Sequence, residues 1–311
     1  MPEPRWGLTV PFPGVPLAAQ EPLVRRAEAA GFQDLWSAET NGADAFTPLA
    51  LAAAWTERMR VGTGIAGVFT RGPALLAMHA AALADASEGR FVLGIGSSSD
   101  VIVERWNGIP FARPRTKVRE TLEALRPILR GDRGPGGFRL ETPPAHAVPV
   151  YVAALRERML RLAGEQADGT FVNFLPLSAA ERVVGTIGAP PEHDVVCRFF
   201  CLARPEEEAL PQARQLLAAY ATVPVYEAFF RWLGWGEAID PLVAAWRAGD
   251  RRLAVERVPD DLVREVFLFG DGDAMRERLA AFADAGITSL CLDPVGPPEH
   301  LAAFIDALAP R

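Results

Sequence analysis

The residues best suited to chemistry in this sequence follow short apolar segments. The clearest example is the turn Gly96-Ser97-Ser98-Ser99, which lies between the apolar run at residues 91–95 and a helical pattern. Small residues at such a junction leave backbone N–H groups free, and a helix N-terminus favours an anion. The turn could therefore bind a phosphate group, although an ordinary serine-rich turn has the same composition.

Polar and small residues also follow the other apolar segments. These positions are Glu39, Thr40, Gly64, Ile65, Ala153, Ala154, Leu155, Arg156, Asn173 and Asp293. The set contains neither an HExxH nor a GxSxG motif, and no pair of carboxylates or imidazoles is spaced for a metal ion, so we expect no metal site. Phosphate-binding amides with few proton-transfer side chains indicate that a bound cofactor carries the chemistry.

The segments in front of these residues are short and apolar, and helical patterns alternate with nearly all of them. They cover residues 6–10, 32–36, 59–65, 91–95, 148–152, 170–172, 195–202 and 287–292. Gly31, Gly169 and Gly286 are placed as helix caps in front of three of them. Eight strand–helix units predict an α/β fold of the (β/α)8 TIM-barrel type. An open doubly wound sheet is the competing fold, but no GxGxxG motif follows the first strand.

Two connections are longer than a plain strand–helix unit requires, one after strand 4 and one after strand 7. The first combines a helical pattern that begins at Pro114 with a Gly- and Pro-rich surface loop at residues 131–149. The second contains an aromatic helical insertion at about residues 220–265, which could form a helical core, a subunit interface or a wall of the substrate pocket. We expect residues 1–311 to form a single barrel domain that includes both insertions.

Composition narrows the class of protein. Half of the 311 residues are hydrophobic and the formal net charge is −7, which fits a globular enzyme and argues against nucleic-acid binding. No apolar stretch is long enough to span a bilayer, and the N-terminus does not have the plan of a signal peptide, so we expect a cytoplasmic protein. Cys197, Cys201 and Cys291 lie in apolar segments without metal-binding spacing, which predicts buried, reduced thiols.

Four stretches resemble the luciferase-like monooxygenase superfamily, specifically its coenzyme F420-dependent oxidoreductase branch. They are AEAAGFQDLWSAE at 27–39, RVGTGI at 60–65, DASEGRFVLGIGSSSD with VIVERWNGIPF at 85–111, and PVYVAALRERMLRLAGEQADGTF at 149–171. The resemblance spans nearly the whole chain and implies a TIM barrel with extra segments, which agrees with the independent strand count. It also implies F420 as the cofactor, hydride transfer as the reaction, a small organic substrate and a homodimer.

The resemblance assigns cofactor contacts to three strand ends. The serine-rich turn would contact the cofactor, and the amides of residues 153–156 would bind its phosphate. Family members often have Gly-Gly where this chain has Leu155-Arg156, so Arg156 would either pair with the phosphate or point into solvent. Gly64-Ile65 matches the position of a non-prolyl cis peptide that forms a bulge behind the deazaflavin ring, and an ordinary trans turn is the alternative.

The resemblance also suggests catalytic residues and a direction. Glu39, as an unpaired acid at the end of strand 2, would accept a hydrogen bond from the cofactor or cap the next helix. Thr40 stands where sugar-phosphate and alcohol dehydrogenases of this branch have a histidine, and Ser99 stands where the sugar dehydrogenases have a glutamate. Without these two proton acceptors, reduction is favoured over alcohol oxidation. A hydride would pass from the deazaflavin C5 to an activated C=C or C=N bond, with water, Thr40 or Asn173 assisting.

Two other functions remain open. FMN could replace F420 in a two-component flavin monooxygenase, which would need a partner enzyme to reduce its flavin, just as an F420 enzyme needs a source of reduced F420. The chain could also bind a flavin or deazaflavin without turnover. The sequence does not identify the substrate, but the aromatic residues at 220–246 and the Phe12-Pro13 loop predict an apolar, aromatic-lined pocket.

Overall fold

The computed structural model describes residues 3–310. Its strands are β1 (Arg5–Val10), β2 (Asp34–Ser37), β3 (Arg60–Thr63), β4 (Ala66–Gly67), β5 (Phe91–Gly96), β6 (Val150–Ala153), β7 (Gly169–Asn173), β8 (Asp194–Leu202), β9 (Phe267–Phe269) and β10 (Ser289–Pro294). Its α-helices are α1 (Glu21–Ala29), α2 (Thr47–Trp55), α3 (Pro73–Ala86), α4 (Pro114–Leu129), α5 (Glu157–Gln166), α6 (Ala180–Ile187), α7 (Glu206–Ala221), α8 (Pro224–Trp232), α9 (Gly236–Arg247), α10 (Arg251–Glu256), α11 (Asp260–Val266), α12 (Gly272–Asp284) and α13 (Leu301–Ala307). A π-helix covers Val101–Trp106, and short 3-10 turns cover Leu17–Ala19, Pro135–Gly137, Leu177–Ala179 and Pro298–His300.

Eight of these strands form a closed, parallel barrel in the order β1-β2-β3-β5-β6-β7-β8-β10. The barrel closes because β10 pairs with both β8 and β1. Each of the eight predicted segments contributes one barrel strand in the predicted order, so the TIM-barrel prediction is confirmed. β5 and β10 are buried along their whole length, as expected for strands covered by helices outside and by side chains inside.

Aromatic side chains fill the barrel interior. The ring of Trp36 lies 5.8 Å from that of Tyr151 and 5.4 Å from that of Phe171, measured between centroids. Val92, Val196 and Cys291 complete this inner cluster. A larger apolar core occupies the space between the strands and the surrounding helices. The inner cluster therefore fills the barrel interior beneath the carboxyl ends of the strands.

Charged residues close the amino-terminal end of the barrel interior. Arg60, at the start of β3, donates from Nη2 to Asp34 at 2.6 Å and to Asp194 at 2.8 Å. The Asp194 carboxylate also accepts hydrogen bonds from the hydroxyls of Tyr151 at 2.9 Å and Ser289 at 2.7 Å. Because these partners lie on β2, β3, β6, β8 and β10, the network joins strands from most of the barrel's circumference.

Both predicted insertions are present. After β5, the fourth barrel strand, α4 begins with Pro114, and an irregular segment containing a 3-10 turn leads to β6. After β8, the seventh barrel strand, the chain forms α7 to α11, β9 and α12 before it returns to β10. Helices α8 to α11 occupy the aromatic insertion, where Phe229 and Phe230 are fully buried. The assignment of residues 1–311 to one domain stays a prediction.

Two of the three predicted capping glycines end a helix. Gly31 follows α1 with a φ of 96°, and Gly286 follows α12 with a φ of 99°, which are left-handed conformations that suit glycine. The third prediction is wrong, because Gly169 is the first residue of β7 and is not left-handed. A Cβ on Gly169 would lie 2.7 Å from the Tyr151 ring. Close packing inside the barrel therefore accounts for this glycine.

The predicted buried thiols are confirmed, because Cys197, Cys201 and Cys291 are all free and buried. His193 is also structural: its Nε2 lies 2.8 Å from the Thr170 hydroxyl, and burial lowers the pKa of its imidazole. Within residues 3–310, no helix is both long and apolar enough to cross a membrane.

Candidate active site

A cavity of about 380 Å³ opens at the carboxyl ends of β1, β2, β8 and β10. Its polar walls include Thr9, Thr40, Arg198 and Asp293, so one of the predicted catalytic residues, Thr40, lines it. The Phe12-Pro13 loop contributes through its prolines. Phe200 is the single aromatic residue in the described walls, so the predicted aromatic lining is wrong for this cavity. The aromatic segment packs instead into a helical core around α7 to α11.

The Arg198–Asp293 ion pair forms one wall of the cavity. Arg198 on β8 donates from Nη2 to the carboxylate of Asp293 on β10. The guanidinium lies over Phe200, with Cζ 4.6 Å from the ring centroid. Burial lowers the pKa of Arg198, but the adjacent Asp293 carboxylate outweighs burial and holds this pKa above its ordinary value. Among residues 3–310, Arg198 Nε has no hydrogen-bond partner but is buried, whereas Nη1 has no partner and is not buried, so one donor is open to the cavity.

On the other half of the barrel mouth, the chain bulges between β3 and β4. Gly62 pairs with Val92, whereas Ala66 pairs with Ile95. The four residue steps from Gly62 to Ala66 therefore lie opposite only three residue steps along β5, which is the register of a β-bulge. The extra residue lies where the resemblance implied a bulge.

Buried hydrogen bonds hold this bulge in place. The Thr63 hydroxyl donates to the Gly94 carbonyl at 2.7 Å and accepts from the Gly94 N–H at 2.8 Å. The Gly64 N–H donates to the Ser37 carbonyl at the end of β2, at 2.6 Å. The peptide bond between Gly64 and Ile65 is cis, as the resemblance implied.

The bulge meets β5 and β6 in a floor of small residues. A Cβ on Gly96 would lie 2.4 Å from Ile65 Cδ1 and 3.2 Å from Ala153 Cβ, and a Cβ on Gly64 would lie 2.5 Å from the Phe171 ring. Only glycine therefore fits at these two positions without movement. The structure thus brings together four of the predicted cofactor residues.

Unused backbone N–H groups border the floor. No acceptor among residues 3–310 binds the amides of Ser97, Ser98 or Ser99, and Ser98 is left-handed, with a φ of 60°. The amides of Leu155 and Arg156 are also free within that range, and they precede α5, whose N-terminus no side chain caps. Two turns on neighbouring strands therefore offer donors to one anion.

Ala154 differs from its prediction. Its N–H donates to the Phe171 carbonyl at 3.1 Å and is not available to a phosphate. The Arg156 side chain is exposed and makes no ion pair within residues 3–310, so its pairing with a phosphate stays a prediction.

Glu39 is not the unpaired acid that we expected. Both of its carboxylate oxygens accept hydrogen bonds from the Arg71 guanidinium, each at 2.6 Å, and one also lies 3.3 Å from the Ala45 N–H. Arg71 in turn lies over the Phe46 ring, with Cζ 5.3 Å from the centroid. A bidentate pair of this kind fixes the orientation of the carboxylate. The sequence did not reveal it, because 32 residues separate the partners.

Asn173 is held by Tyr226 from the aromatic insertion. Its Nδ2 donates to the Tyr226 hydroxyl at 3.0 Å, and its Oδ1 accepts from the Phe174 N–H at 3.1 Å. Burial raises the pKa of Tyr226 to about 12, so the hydroxyl keeps its proton at neutral pH. Asn173 lies opposite Arg198 in the register of β7 and β8. The Asn173–Tyr226 pair therefore belongs to the same side of the mouth as the Arg198 wall.

Sequence reasoning missed Arg71 and Arg198. Arg198 had a usable signal, because it is a charged residue within the apolar stretch of β8. Arg71 had none, because its partner Glu39 lies on a distant segment. Tyr226 was singled out only as part of the aromatic segment, and its hydrogen bond to Asn173 was not predicted. Within residues 3–310, no group of three or more His, Cys, Asp and Glu side chains is arranged to hold a metal ion.

Comparisons with known proteins agree with this geometry. The chain is 27% identical over 310 residues to a Mycobacterium tuberculosis protein with the provisional name coenzyme F420-dependent oxidoreductase, covering 86% of this chain and 88% of the relative. It is 26% identical to 5,10-methylenetetrahydromethanopterin reductase of Methanolobus tindarius, covering 93% and 94% of the two chains. The solved coenzyme F420-dependent tetrahydromethanopterin reductase of Methanopyrus kandleri has the same fold, with a TM-score of 0.80 at 24% identity and coverage of 99% and 97%.

The comparison with family profiles covers most of the chain. Residues 7–289 match the family described as luciferase-like monooxygenase. The matched range runs from β1 to the start of β10 and includes the bulge, the glycine floor and both amide-rich turns. This protein therefore belongs to the luciferase-like monooxygenase family.

Proposed function

We propose that this protein is an F420-dependent oxidoreductase that transfers a hydride between the deazaflavin C5 and a small organic substrate, and that it works as a reductase. The observation that carries the proposal is the glycine floor bordered by free amides at two turns. A flat ring system with a phosphate-bearing tail needs both features. The names of the two relatives support F420 over FMN.

The residues present fit such a cofactor. Its ring would rest beside Gly64, Ile65 and Gly96, and its phosphate would accept hydrogen bonds from the two amide-rich turns, one of which precedes α5. Glu39 stays a proposed cofactor contact, now as one half of its ion pair with Arg71. When bound, F420 would supply the hydride at C5, while the protein would supply orientation and electrostatics.

The side chains around the cavity favour reduction. Neither a histidine nor an unpaired carboxylate lines its described walls, so no strong base is placed to take a proton from an alcohol. Thr40 on the wall offers a hydroxyl hydrogen. Asn173 and its partner Tyr226 offer amide and hydroxyl hydrogens on the neighbouring side. Such donors suit the delivery of a proton to a reduced product.

Binding titrations with F420 and with FMN test the cofactor. We expect the purified protein to bind F420 at micromolar concentrations or below and FMN more weakly, as followed by cofactor fluorescence. The reverse preference would favour a flavin monooxygenase with a partner reductase. Tight F420 binding without any substrate-dependent spectral change would favour a binding protein without turnover.

The same titration can be applied to Gly96→Val. The new side chain would displace Ile65 from the floor, so we expect F420 to bind roughly tenfold more weakly or worse, a loss of about 1.4 kcal/mol. Gly185→Val in α6 is the matched control, because a Cβ there meets nothing within 4 Å. Equal weakening in both variants would point to general destabilisation and contradict the proposed ring site.

We also propose that α2 and α3 form a homodimer interface. Leu75 and Met78 on the outer face of α3 are 44% and 51% exposed, and α2 contains no charged residue. Exposed apolar side chains of this size on α3, beside the uncharged helix α2, are typical of a protein–protein contact. A second copy of the chain would present the same apolar face, as the twofold symmetry of most homodimers requires.

Met78→Arg should convert the dimer to a monomer, because two guanidinium groups would face each other across the twofold axis. Size-exclusion chromatography with light scattering gives the molar mass. Trp106→Arg is the control, because Trp106 is 55% exposed but lies on the π-helix, outside α2 and α3. A dimer that persists in Met78→Arg would exclude this face as the interface.

A further inference from the structure

We propose that Arg198 recognises the substrate and that the substrate class is an α,β-unsaturated carbonyl compound, whose carbonyl oxygen accepts hydrogen bonds from this guanidinium. The inference rests on the proposed function, because it names the substrate of the same site. Three observations carry it: the unused donors of Arg198, its pairing with Asp293 and the shape of the cavity beside them.

Arg198 presents more hydrogen-bond donors than the protein uses. A guanidinium has five N–H donors. Within residues 3–310, Arg198 makes one ion pair, through Nη2 to Asp293, and lies over Phe200. Its Nε has no partner, but it is buried and does not face the open cavity. Nη1 makes no hydrogen bond within residues 3–310 and is not buried, so an oxygen atom of a ligand in the adjoining cavity can accept hydrogen bonds from it.

Asp293 determines which kind of oxygen fits. The Arg198–Asp293 pair is neutral overall, and both residues line the cavity, so a carboxylate of a substrate would meet a negative charge beside the positive one. A neutral carbonyl oxygen avoids this repulsion and still gains the hydrogen bonds. An arginine does not lose its proton in a protein, so Arg198 can stabilise a charge that develops on this oxygen without acting as an acid.

Reduction of an α,β-unsaturated carbonyl compound places charge on that oxygen. The added hydride forms a C–H bond at the β-carbon, and the electron pair of the C=C bond shifts towards the carbonyl, which becomes an enolate. A proton from water then forms a C–H bond at the α-carbon and restores the carbonyl group. The hydride and its two electrons come from reduced F420, which is oxidised in the exchange. An imine would instead need a proton at nitrogen, which Arg198 cannot give.

The cavity suits a planar, conjugated molecule. Its volume of about 380 Å³ accommodates a small ring compound. Phe200 supplies a flat face under the guanidinium, and Pro11, Leu216 and Val295 supply apolar walls. Only the wall formed by Arg198 and Asp293 is charged. A substrate that is apolar except for one conjugated carbonyl group matches this arrangement.

Arg198→Lys tests the inference in turnover. Lysine keeps the charge that pairs with Asp293, and with it the fold, but it loses the Nε–H and the planar fork. With reduced F420 and cyclohex-2-enone, we expect kcat to fall about 100-fold, as when a donor to a developing oxyanion is removed. F420 affinity should not change. Arg214→Lys is the matched control, because Arg214 also pairs with an aspartate, Asp260, but neither residue lines the cavity.

A second measurement needs no turnover. The absorption band of 4-(dimethylamino)cinnamaldehyde moves to longer wavelength when its carbonyl oxygen accepts strong hydrogen bonds. We expect this shift with the wild-type protein and with Arg214→Lys, and its loss with Arg198→Lys. An unshifted band with the wild type, or a shift retained in Arg198→Lys, would overturn the inference. If the wild type does not bind F420 but gives an Arg198-dependent shift, the proposed cofactor is refuted and the carbonyl site is supported.

Discussion

Arg60→Met should lower the free energy of unfolding by about 3–5 kcal/mol. The substitution retains an apolar side chain of similar reach but removes the guanidinium that pairs with both Asp34 and Asp194. The Asp34 side chain is only 1% exposed, and its other partner, Arg5, is 40% exposed. Two carboxylates would then be buried with too little compensating charge, which is among the most destabilising changes known. Urea unfolding at neutral pH, followed by tryptophan fluorescence, measures the loss.

Arg252→Met provides the comparison. Arg252 is 91% exposed and pairs with Glu256 one turn away on α10, so solvent screens the pair. This variant should unfold like the wild type. If both variants lost the same stability, the buried network would not be the reason.

The stability of the wild type and that of Arg60→Met should also depend differently on pH. Burial alone would raise the pKa of Asp194, but Arg60 and the hydroxyls of Thr288 and Ser289 lower it below its ordinary value. A carboxyl group with a lowered folded pKa contributes stability above its unfolded pKa, and this stability is lost as pH falls through the folded pKa. Wild-type stability should therefore decline below about pH 4. In Arg60→Met the decline should be smaller, because the main cause of the lowered pKa is gone and less stability then depends on the charged carboxylate.

Thr63→Val should weaken F420 binding by roughly tenfold or more and lower stability by about 1–3 kcal/mol. Valine has nearly the shape of threonine, and residue 63 is fully buried, so packing is preserved. The substitution nevertheless leaves the N–H and the carbonyl of Gly94 without their shared hydroxyl. The bulge that carries Gly64 and Ile65 would then lose the bonds that hold its shape.

Thr63→Ser distinguishes the two effects. Serine keeps the hydroxyl and loses one methyl group, which costs about 0.8 kcal/mol of burial. With the added cost of the small cavity, we expect a loss of stability near the lower end of that of Thr63→Val, together with F420 affinity close to that of the wild type. Affinity that falls equally in both variants would mean that stability, and not the shape of the bulge, controls binding.

The barrel was predictable because its buried strands appear in the sequence as short apolar runs that recur between helical patterns. A run such as β5, apolar at nearly every position, can be buried on both faces only in a sheet that is covered on both sides. Eight such runs, separated by helical patterns, have few other arrangements. Once the strands are assigned, the positions of their carboxyl ends are known. The structure places the candidate residues at this end of the barrel.

Side-chain contacts between distant segments of the chain give no comparable pattern in the sequence. Glu39 was expected to be unpaired, because Arg71 lies in a loop after another strand and nothing local links the two. Arg198 and Asp293 are 95 residues apart and meet only because β8 and β10 close the barrel. Gly169 was predicted to be a helix cap. Its true role, which is to leave room for the Tyr151 ring, depends on the register of β6 and β7 and is not visible in the sequence. These features depend on tertiary contacts, which a single sequence does not display.

The two halves of the barrel mouth come from different sets of strands. The glycine floor and the free amides lie on β3 to β6, whereas the cavity lies at β8, β10, β1 and β2. For directed evolution, this division separates the mutational targets. Saturation libraries at Thr40, Gln212 and Leu216 would reshape the pocket without touching the hydrogen bonds that support the floor. The protein could then be adapted to new hydride-accepting substrates while it keeps the same cofactor as the hydride donor.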